Sequence, residues 1–487
     1  MTLTLPRRFR PYGGGRIALE TMSSPPSSRG VAGAPNHPLS GERAARDAAL
    51  AGAAALAVAL GVGRFAFTPL LPLMLAGGEL DIRHGGWLAS ANYAGYFVGA
   101  MACARIAVDP ARMVRIGLAA TVALTLAMGI ASPFWLWALV RFVGGAVSAC
   151  TFVFASQWGL RRVVEHGAPA WGGVIYTGPG IGIVATGLIG FALAGRHAAL
   201  GWIGFAAASA VLSALVWRAF APAACEWRRD AGGPHAGGDA GAAAGGRGAA
   251  NAGRAADSAN AVDEATAATP RNSMPAGIGG QRGAVAAPDA SPAASRRDAF
   301  WLVLLYGLPG FGYIITATFL PVIARAALPA HSPWPDLFWP MFGAALIVGA
   351  LAGARLPSRW DNRLLLAACC VVQAVGVALG IVWPTAPGFA LGSALVGLPF
   401  NAITLFAMRE ARRLRGERAA GLMGYATASY GVGQIVGPLA AVPLAAHAGS
   451  FTPALWLASA VLAAGAAGFA AVASSASRTA TRDRGIG

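Results

Sequence analysis

The sequence predicts an all-α polytopic membrane protein, about twelve transmembrane helices in two pseudo-symmetric six-helix bundles. Three observations carry this: composition, the length of the apolar runs, and an internal repeat. Hydrophobic residues make up 56% of the 487 and charged residues only 12%, against roughly one-quarter charged in a soluble domain. No soluble core could absorb that much apolar surface. The apolar runs reach about 20 residues or more, the length a helix needs to cross roughly 30 Å of hydrocarbon. Period-two alternation is absent, which leaves helices as the spanning form, since lipid tolerates no unpaired backbone polar group.

In order, the runs give spans at 48–76, 84–106, 112–131, 133–158, 170–194 and 198–219, then 299–325, 335–356, 363–383, 386–410, 418–445 and 451–473. The third and fourth are separated only by Ser132 and Pro133, the ninth and tenth by Pro384 and Pro387. The expected organisation is a tail at 1–46, a bundle at 47–219, a linker at 220–298, a second bundle at 299–473 and a tail at 474–487. The linker is Ala- and Gly-rich with scattered Arg and Asp, a composition that cannot build a core. Residues 1–46 carry Arg7, Arg8, Arg10 and Arg16 among Pro, Ser and Gly, without the apolar stretch and cleavage pattern of a signal peptide. They read as a disordered cytoplasmic tail, or as sequence upstream of an initiator at Met22.

The net charge of +17 invites a nucleic-acid reading, and its distribution argues against one. All 37 basic residues are arginine. They gather in one set of loops (Arg105, Arg112, Arg115; Arg161, Arg162; Arg355, Arg359, Arg363; Arg409 to Arg418), in the linker and in the tails. The opposite loops hold Arg83, Arg196 and Arg325. This is the positive-inside asymmetry, so both termini and the linker are expected in the cytoplasm. A nucleic-acid surface needs arginines on one folded face with aromatics between them, not in short hairpins. All-Arg basicity with heavy Ala, Gly and Pro usage fits a GC-rich bacterial genome, and the expected location is the bacterial inner membrane. The expected partners are the lipid bilayer and a small-molecule substrate, with no nucleic acid and the chain a monomer.

The repeat has an offset of about 250 residues. Val98 to Arg105 (VGAMACAR) matches Val348 to Arg355 (VGALAGAR) at six of eight positions. Gly61-x-Gly63 with Leu71-Pro72 in the first span returns as Gly310-x-Gly312 with Leu320-Pro321 in the seventh, and Arg161-Arg162 returns as Arg412-Arg413. Three pairings at nearly one offset argue for duplication of a six-helix unit.

Two six-helix halves joined by a linker resemble the plan of the major facilitator superfamily. Arg141-x-x-Gly144-Gly145-Ala146 resembles its fourth-span motif. Gly178-Pro179-x-x-Gly182 resembles its Gly-Pro motif, echoed by Gly433-x-x-x-Gly437-Pro438. Its acidic-basic loop motif is degenerate: Asp109, Arg112 and Arg115 remain, with Arg355, Pro357, Arg359 and Asp361 in the second half. More specifically, GVGRFAFTPLLP at 61–72 and GWLASANYAGY at 86–96 are similar to the YbfB/YjiJ-type branch. The resemblance covers both halves and implies the major facilitator fold and secondary transport by alternating access. It also implies conformational roles for Arg141, Gly178, Pro179, Gly437, Pro438, Asp109 and Arg112.

The residues themselves point to a site in mid-membrane. A charge such as Arg64 near the middle of a span costs about 2.5–3.5 kcal/mol on insertion scales, so it must face protein or a water-filled cavity. Its guanidinium suits a carboxylate or phosphate. The alternative is that it ties up backbone carbonyls freed by Pro69 and Pro72. Tyr313 sits at the repeat-related position, and Thr68, Asn92, Tyr93, Tyr96, Gln157, Tyr176, Asn401, Tyr430 and Gln434 complete the candidate substrate-binding set. Each of these could equally be a helix-to-helix hydrogen bond. The glycines at 61, 63, 95, 99, 178, 182, 433 and 437 read as close-packing and hinge positions, not as a phosphate loop.

No Asp, Glu or His falls deep in a span, so Glu79, Asp336 and Glu410 at helix ends are the acids available for proton coupling. The absence of a buried carboxylate disfavours a cationic-drug pump and leaves a small organic anion as the expected substrate, with efflux of uncharged molecules the alternative. A membrane sensor would need an output domain that the linker cannot form. No HExxH, GxSxG or His-rich span suggests an enzyme, metal or cofactor.

Overall fold

The computed structural model describes residues 38–221 and 292–484, apart from 104, 106–107, 358, 417 and 418. Most of the expected N-terminal tail and linker lies outside the described residues, together with the last three positions. The described residues are helical, without strands. Twelve passes follow in order: α1 (Gly41–Ala76), α2 (Ile82–Cys103), α3 (Pro110–Ile130), α4 (Phe134–Glu165), α5 (Gly172–Ala192), α6 (Ala198–Val216), α7 (Pro292–Ala327), α8 (Trp334–Arg355), α9 (Asn362–Val382), α10 (Ala386–Arg415), α11 (Ala419–Ala448) and α12 (Thr452–Arg484).

Eleven of these helical segments are long and apolar enough to cross a membrane; the exception is α2. Gly, Ser90, Asn92, Tyr93 and Tyr96 dilute its hydropathy, and those polar groups are turned inward: Asn92 and Tyr93 are buried while Trp87 and Val98 are exposed. Three helices begin or end outside the expected bundle limits. Helix begins at Pro38 inside the expected 1–46 tail, α7 begins at Pro292 inside the expected linker, and α12 runs to Arg484. Hydropathy marks only the lipid-crossing part of a helix. The polar first turns continue because Ala45, Ala48 and Ala49 still pack against protein while Glu42 and Arg43 face outward.

The packing repeats between halves. Within the first, α2 packs on α4, α1 on α5, α3 on α6 and α1 on α6; within the second, α8 packs on α10, α7 on α11, α9 on α12 and α7 on α12. Between halves, α2 packs on α11 and α5 on α8, which exchange under the repeat, and α1 meets α7. Small residues permit the closest crossings. A Cβ at Gly61 would overlap the Gly182 backbone, and one at Gly433 would overlap the Gly307 carbonyl.

The buried side chains fall into three clusters of unequal reach. One spans both halves at the end away from the arginine-rich loops, uniting Leu70 and Leu71 of α1, Leu88 of α2, Phe319 and Leu320 of α7, and Ala441 and Val442 of α11. Toward the arginine-rich end each half keeps its own core, around Leu118, Phe154 and Trp158 in the first and around Leu366, Ile403 and Phe406 in the second. The seam between halves is therefore filled by a shared core at one end, while at the other the clusters belong to separate halves.

Candidate substrate-binding site

The first span is not a continuous α-helix. Residues 57–62 form a π-helical segment in which Gly63 N–H reaches the Val58 carbonyl and Phe65 N–H the Leu60 carbonyl, each five residues back; α-helix resumes at Phe67. Such bulges frequently mark functional positions. Pro69 has no N–H to offer the Phe65 carbonyl. Thr68 N–H takes that carbonyl instead at 3.2 Å, and the Arg64 carbonyl is left without its usual helical donor.

Arg141 of α4 supplies it. Its Nη2 donates to the Arg64 carbonyl at 3.2 Å and its Nη1 approaches the Gly63 carbonyl at 3.5 Å, with the guanidinium 4.9 Å from the Phe67 ring centroid. Asn92 Nδ2 in turn donates to the Arg141 carbonyl at 2.9 Å. The carbonyl-tying role open to Arg64 is thus performed by Arg141, and Asn92 serves the same α2–α4 scaffold.

Arg64 is released for something else. It is 5% exposed and, at about 1.5 Å per residue, about 18 Å inside the Ala76 end of its span, close to mid-membrane. Its Nη2 donates to Gln434 Oε1 on α11 at 2.7 Å; Gln434 Nε2 donates to the Tyr313 hydroxyl on α7. Sequence repeat-mates 64 and 313 are therefore joined through one amide. Thr68 Oγ1, one turn on, donates to the carbonyl of Ala317, its own repeat-mate 249 residues away, at 2.9 Å. Contacts between repeat-mates at two levels place this part of α1 and α7 on the pseudo-two-fold axis.

Aromatic rings enclose the cation. The Arg64 guanidinium lies 4.1 Å from the Tyr96 ring centroid, 5.1 Å from Tyr93 and 5.3 Å from Phe65. Beyond Gln434 the rings of Tyr306, Tyr430 and Tyr313 stack in sequence, at 4.8 and 5.9 Å between centroids, and Phe400 meets Tyr313 edge-on at 5.1 Å. Tyr93 and Thr318 share a hydroxyl hydrogen bond at 2.9 Å, another link between halves. Among the described residues no carboxylate forms an ion pair with Arg64 or Arg141; the buried ion pairs are elsewhere. Cation–π contacts and one amide oxygen offset part of the cost of burying Arg64.

The cluster thus unites Arg64, Tyr93, Tyr96, Tyr313, Tyr430 and Gln434, with Thr68 beside it. Asn401 and Tyr176 are not in it. Asn401 Nδ2 donates to the Tyr176 carbonyl at 3.3 Å, a link between halves nearer the arginine-rich end. Gln157 is half-buried on α4 and forms no side-chain hydrogen bond among the described residues. Phe65, Phe400 and Tyr306 were not singled out in the sequence. Tyr306 could have been, since it precedes Tyr313 by two helical turns and so shares its face.

The sequence matches the family described as "Uncharacterised MFS-type transporter YbfB" over residues 56–237 and 271–469, more than half of the chain. The chain belongs to this branch of the major facilitator superfamily. Solved structures similar to it include nucleoside transporter NupG and a point mutant of it. The mutant is 15% identical, with a TM-score of 0.60, covering 88% of this chain and 99% of its own. The unmutated NupG is 13% identical, with a TM-score of 0.58, covering 88% and 98%. At this identity the likeness establishes the fold. No curated protein matches the sequence.

The facilitator motifs do recognisable structural work here. Asp109 caps α3 by accepting from Arg112 N–H at 2.9 Å, and Asp361 caps α9 by accepting from Arg363 N–H at 2.8 Å. The acids of the degenerate loop motif therefore cap the start of the following helix in both halves. Gly178 and Pro179 restart α5 after a break at Tyr176–Thr177, with Gly178 against the Ala53 carbonyl of α1. Gly437, followed by Pro438 within α11, rests on Ile314 of α7.

Arg363, placed by sequence among the loop arginines, is only 4% exposed. Its Nε donates to Glu410 at 2.7 Å, its Nη2 to Asp298 at 2.8 Å and its Nη1 to the Val472 carbonyl at 3.2 Å. It clamps α7, α9, α10 and α12 together because its counter-charges come from helices distant in sequence. Of the three acids considered for coupling, Glu410 is committed to Arg363 and Arg413, and Asp336 to Arg325. Glu79, in the loop after α1, is exposed, and its carboxyl is raised from its ordinary value by partial desolvation, opposed by the His197 charge.

Proposed function

We propose that this facilitator-family protein is a secondary transporter that moves a small organic anion by alternating access, with Arg64 as the group that receives it. The observation that carries the reading is a buried guanidinium on the axis between halves that pairs with no carboxylate among the described residues and donates instead to an amide oxygen of the opposite half. A fixed cation in that setting favours a negatively charged ligand, which gains most from it where the dielectric is low.

The seam supports the conformational half of the proposal. If the positive-inside pattern orients the protein, the arginine-rich end faces the cytoplasm and the shared core closes the periplasmic side. Rocking of one half against the other would exchange the sealed end, along the α2–α11 and α5–α8 contacts where Gly86, Gly180 and Gly343 keep the helices close. Arg64, bonded across the seam to Gln434, lies where opening of either side alters its partners.

The test is a panel of anions and a nucleoside, each added to purified wild-type protein and to Arg64→Ala, with thermal stabilisation and proteoliposome uptake as readouts. Stabilisation and uptake by an anion in wild type, lost in Arg64→Ala, is the expected result. Equal stabilisation of both proteins by anions, or uptake of the nucleoside alone, overturns the reading.

A further inference from the structure

The side-on edge of the Arg64 guanidinium, made by Nε–H and the adjacent Nη2–H, is half filled. Nη2 donates to Gln434 Oε1 at 2.7 Å, whereas Nε, although buried, has no hydrogen-bond partner among the described residues. A carboxamide offers that edge one oxygen; a carboxylate offers two, in the geometry of the fork. The surroundings are aromatic: Tyr96 and Tyr93 lie over the guanidinium, and on the Gln434 side Tyr313 and Tyr430 are nearly parallel at 19° with Phe400 edge-on to Tyr313. Among the described residues no second cation belongs to the enclosure, because Arg141 is turned onto backbone carbonyls.

Building on the anion reading above, we propose that the substrate is an aromatic monocarboxylate. Its carboxylate takes the side-on edge of Arg64 in place of the Gln434 oxygen, and its ring lies among Tyr96, Tyr313, Tyr430 and Phe400. One charge is matched by one cation, so a dicarboxylate or phosphate would carry an unmatched negative charge into the site. The ring is matched by aromatic faces, each worth about 2- to 10-fold in affinity beyond burial. Displacing the Gln434 oxygen also removes the amide link from Arg64 to Tyr313, so binding acts on a contact that joins the halves.

The experiment is calorimetric titration of the full-length protein in nanodiscs with benzoate, phenylacetate, cyclohexanecarboxylate, propionate, succinate, inorganic phosphate and benzyl alcohol. It is run on wild type, Arg64→Lys and Phe400→Leu, with melting temperatures confirming that each variant is folded. Benzoate or phenylacetate is expected to bind wild type, cyclohexanecarboxylate roughly 3- to 10-fold more weakly, and propionate, succinate, phosphate and benzyl alcohol more weakly still. Arg64→Lys keeps the charge without the fork and is expected to cost about 10-fold or more; Phe400→Leu, which removes one of the four rings, should narrow the aromatic preference while leaving carboxylates bound. If propionate, succinate or phosphate binds as well as benzoate and depends on Arg64, the aromatic inference fails and the anion reading survives. If benzyl alcohol binds and no anion does, both fail. If neither aromatic acid binds a folded wild-type protein, the aromatic inference is overturned.

Discussion

Two buried arginines lie within one turn's reach of the same broken helix, and the structure gives them opposite jobs that a pair of substitutions should separate. Arg141→Leu removes the donor to the Arg64 carbonyl at 3.2 Å and the weaker approach to Gly63 at 3.5 Å. A hydrogen bond with a charged partner is worth about 1.5–3 kcal/mol, and loss of the guanidinium over Phe67 adds about 0.5–1 kcal/mol. Relief of the buried Arg141 Nε, which has no partner among the described residues, returns about 1–3 kcal/mol. The net expectation is a destabilisation of about 1 kcal/mol. Arg64→Gln also loses one charge-assisted bond, about 1.5–3 kcal/mol, and its contacts with the Tyr96, Tyr93 and Phe65 rings, about 0.5–1 kcal/mol each. It is relieved of a buried cation whose Nε has no partner among the described residues, about 1–3 kcal/mol, so it should lose about 2–3 kcal/mol, and binding is what separates the two variants. Urea unfolding in mild detergent, followed by tryptophan fluorescence, measures both, and anion titration on the same samples supplies the second axis. Stability should fall in both variants, and binding should vanish in the Arg64 variant alone. An Arg141→Leu protein as stable as wild type, or an Arg64→Gln protein that unfolds like Arg141→Leu while still binding anions, would refute the division of labour.

Other expectations follow from particular contacts. Arg363→Ala leaves Glu410 and Asp298 with only the half-exposed Arg413 and Arg297 beside them, and since a broken buried pair costs about 3–5 kcal/mol and these partners remain, denaturant unfolding should show a loss of about 3 kcal/mol. Gly61→Val would drive a side chain into the Gly182 backbone, an overpacking cost of about 1–3 kcal/mol, with uptake lost as α1 and α5 are forced apart. Gly86→Trp, against Val442 and the Pro438 carbonyl, should wedge the sealed end open. The readout is maleimide labelling of Ala317→Cys, a position 1% exposed: unreactive in the otherwise native chain, labelled once Gly86→Trp is added, against a background without the introduced cysteine. If labelling is unchanged, the shared core is not the barrier.

Much of this architecture was legible because membrane burial writes itself into sequence. Hydropathy fixes where helices must be, since hydrocarbon admits no other backbone, and the duplication near 250 residues fixes which helices correspond. That offset alone foretold that Arg64 would lie opposite Tyr313, and Thr68 is found on Ala317 at a separation of 249. The same logic failed at helix ends, where Pro38, Pro292 and Arg484 extend helices beyond the apolar stretch. It failed again at Arg363, whose burial depends on Glu410 and Asp298 arriving from other helices.

By itself, then, the sequence determined the helical spans, the two-fold plan and the presence of an intramembrane cation, because each follows from the solvent a segment must tolerate. Which arginine holds the broken helix and which is left half-satisfied was a tertiary decision. It turned on Pro69 freeing a carbonyl within reach of Arg141 on α4, and on α11 bringing a single amide, not a carboxylate, to Arg64. Hydrogen-bond partners are set by distance in space, and the chain's order gives no measure of that until the helices pack.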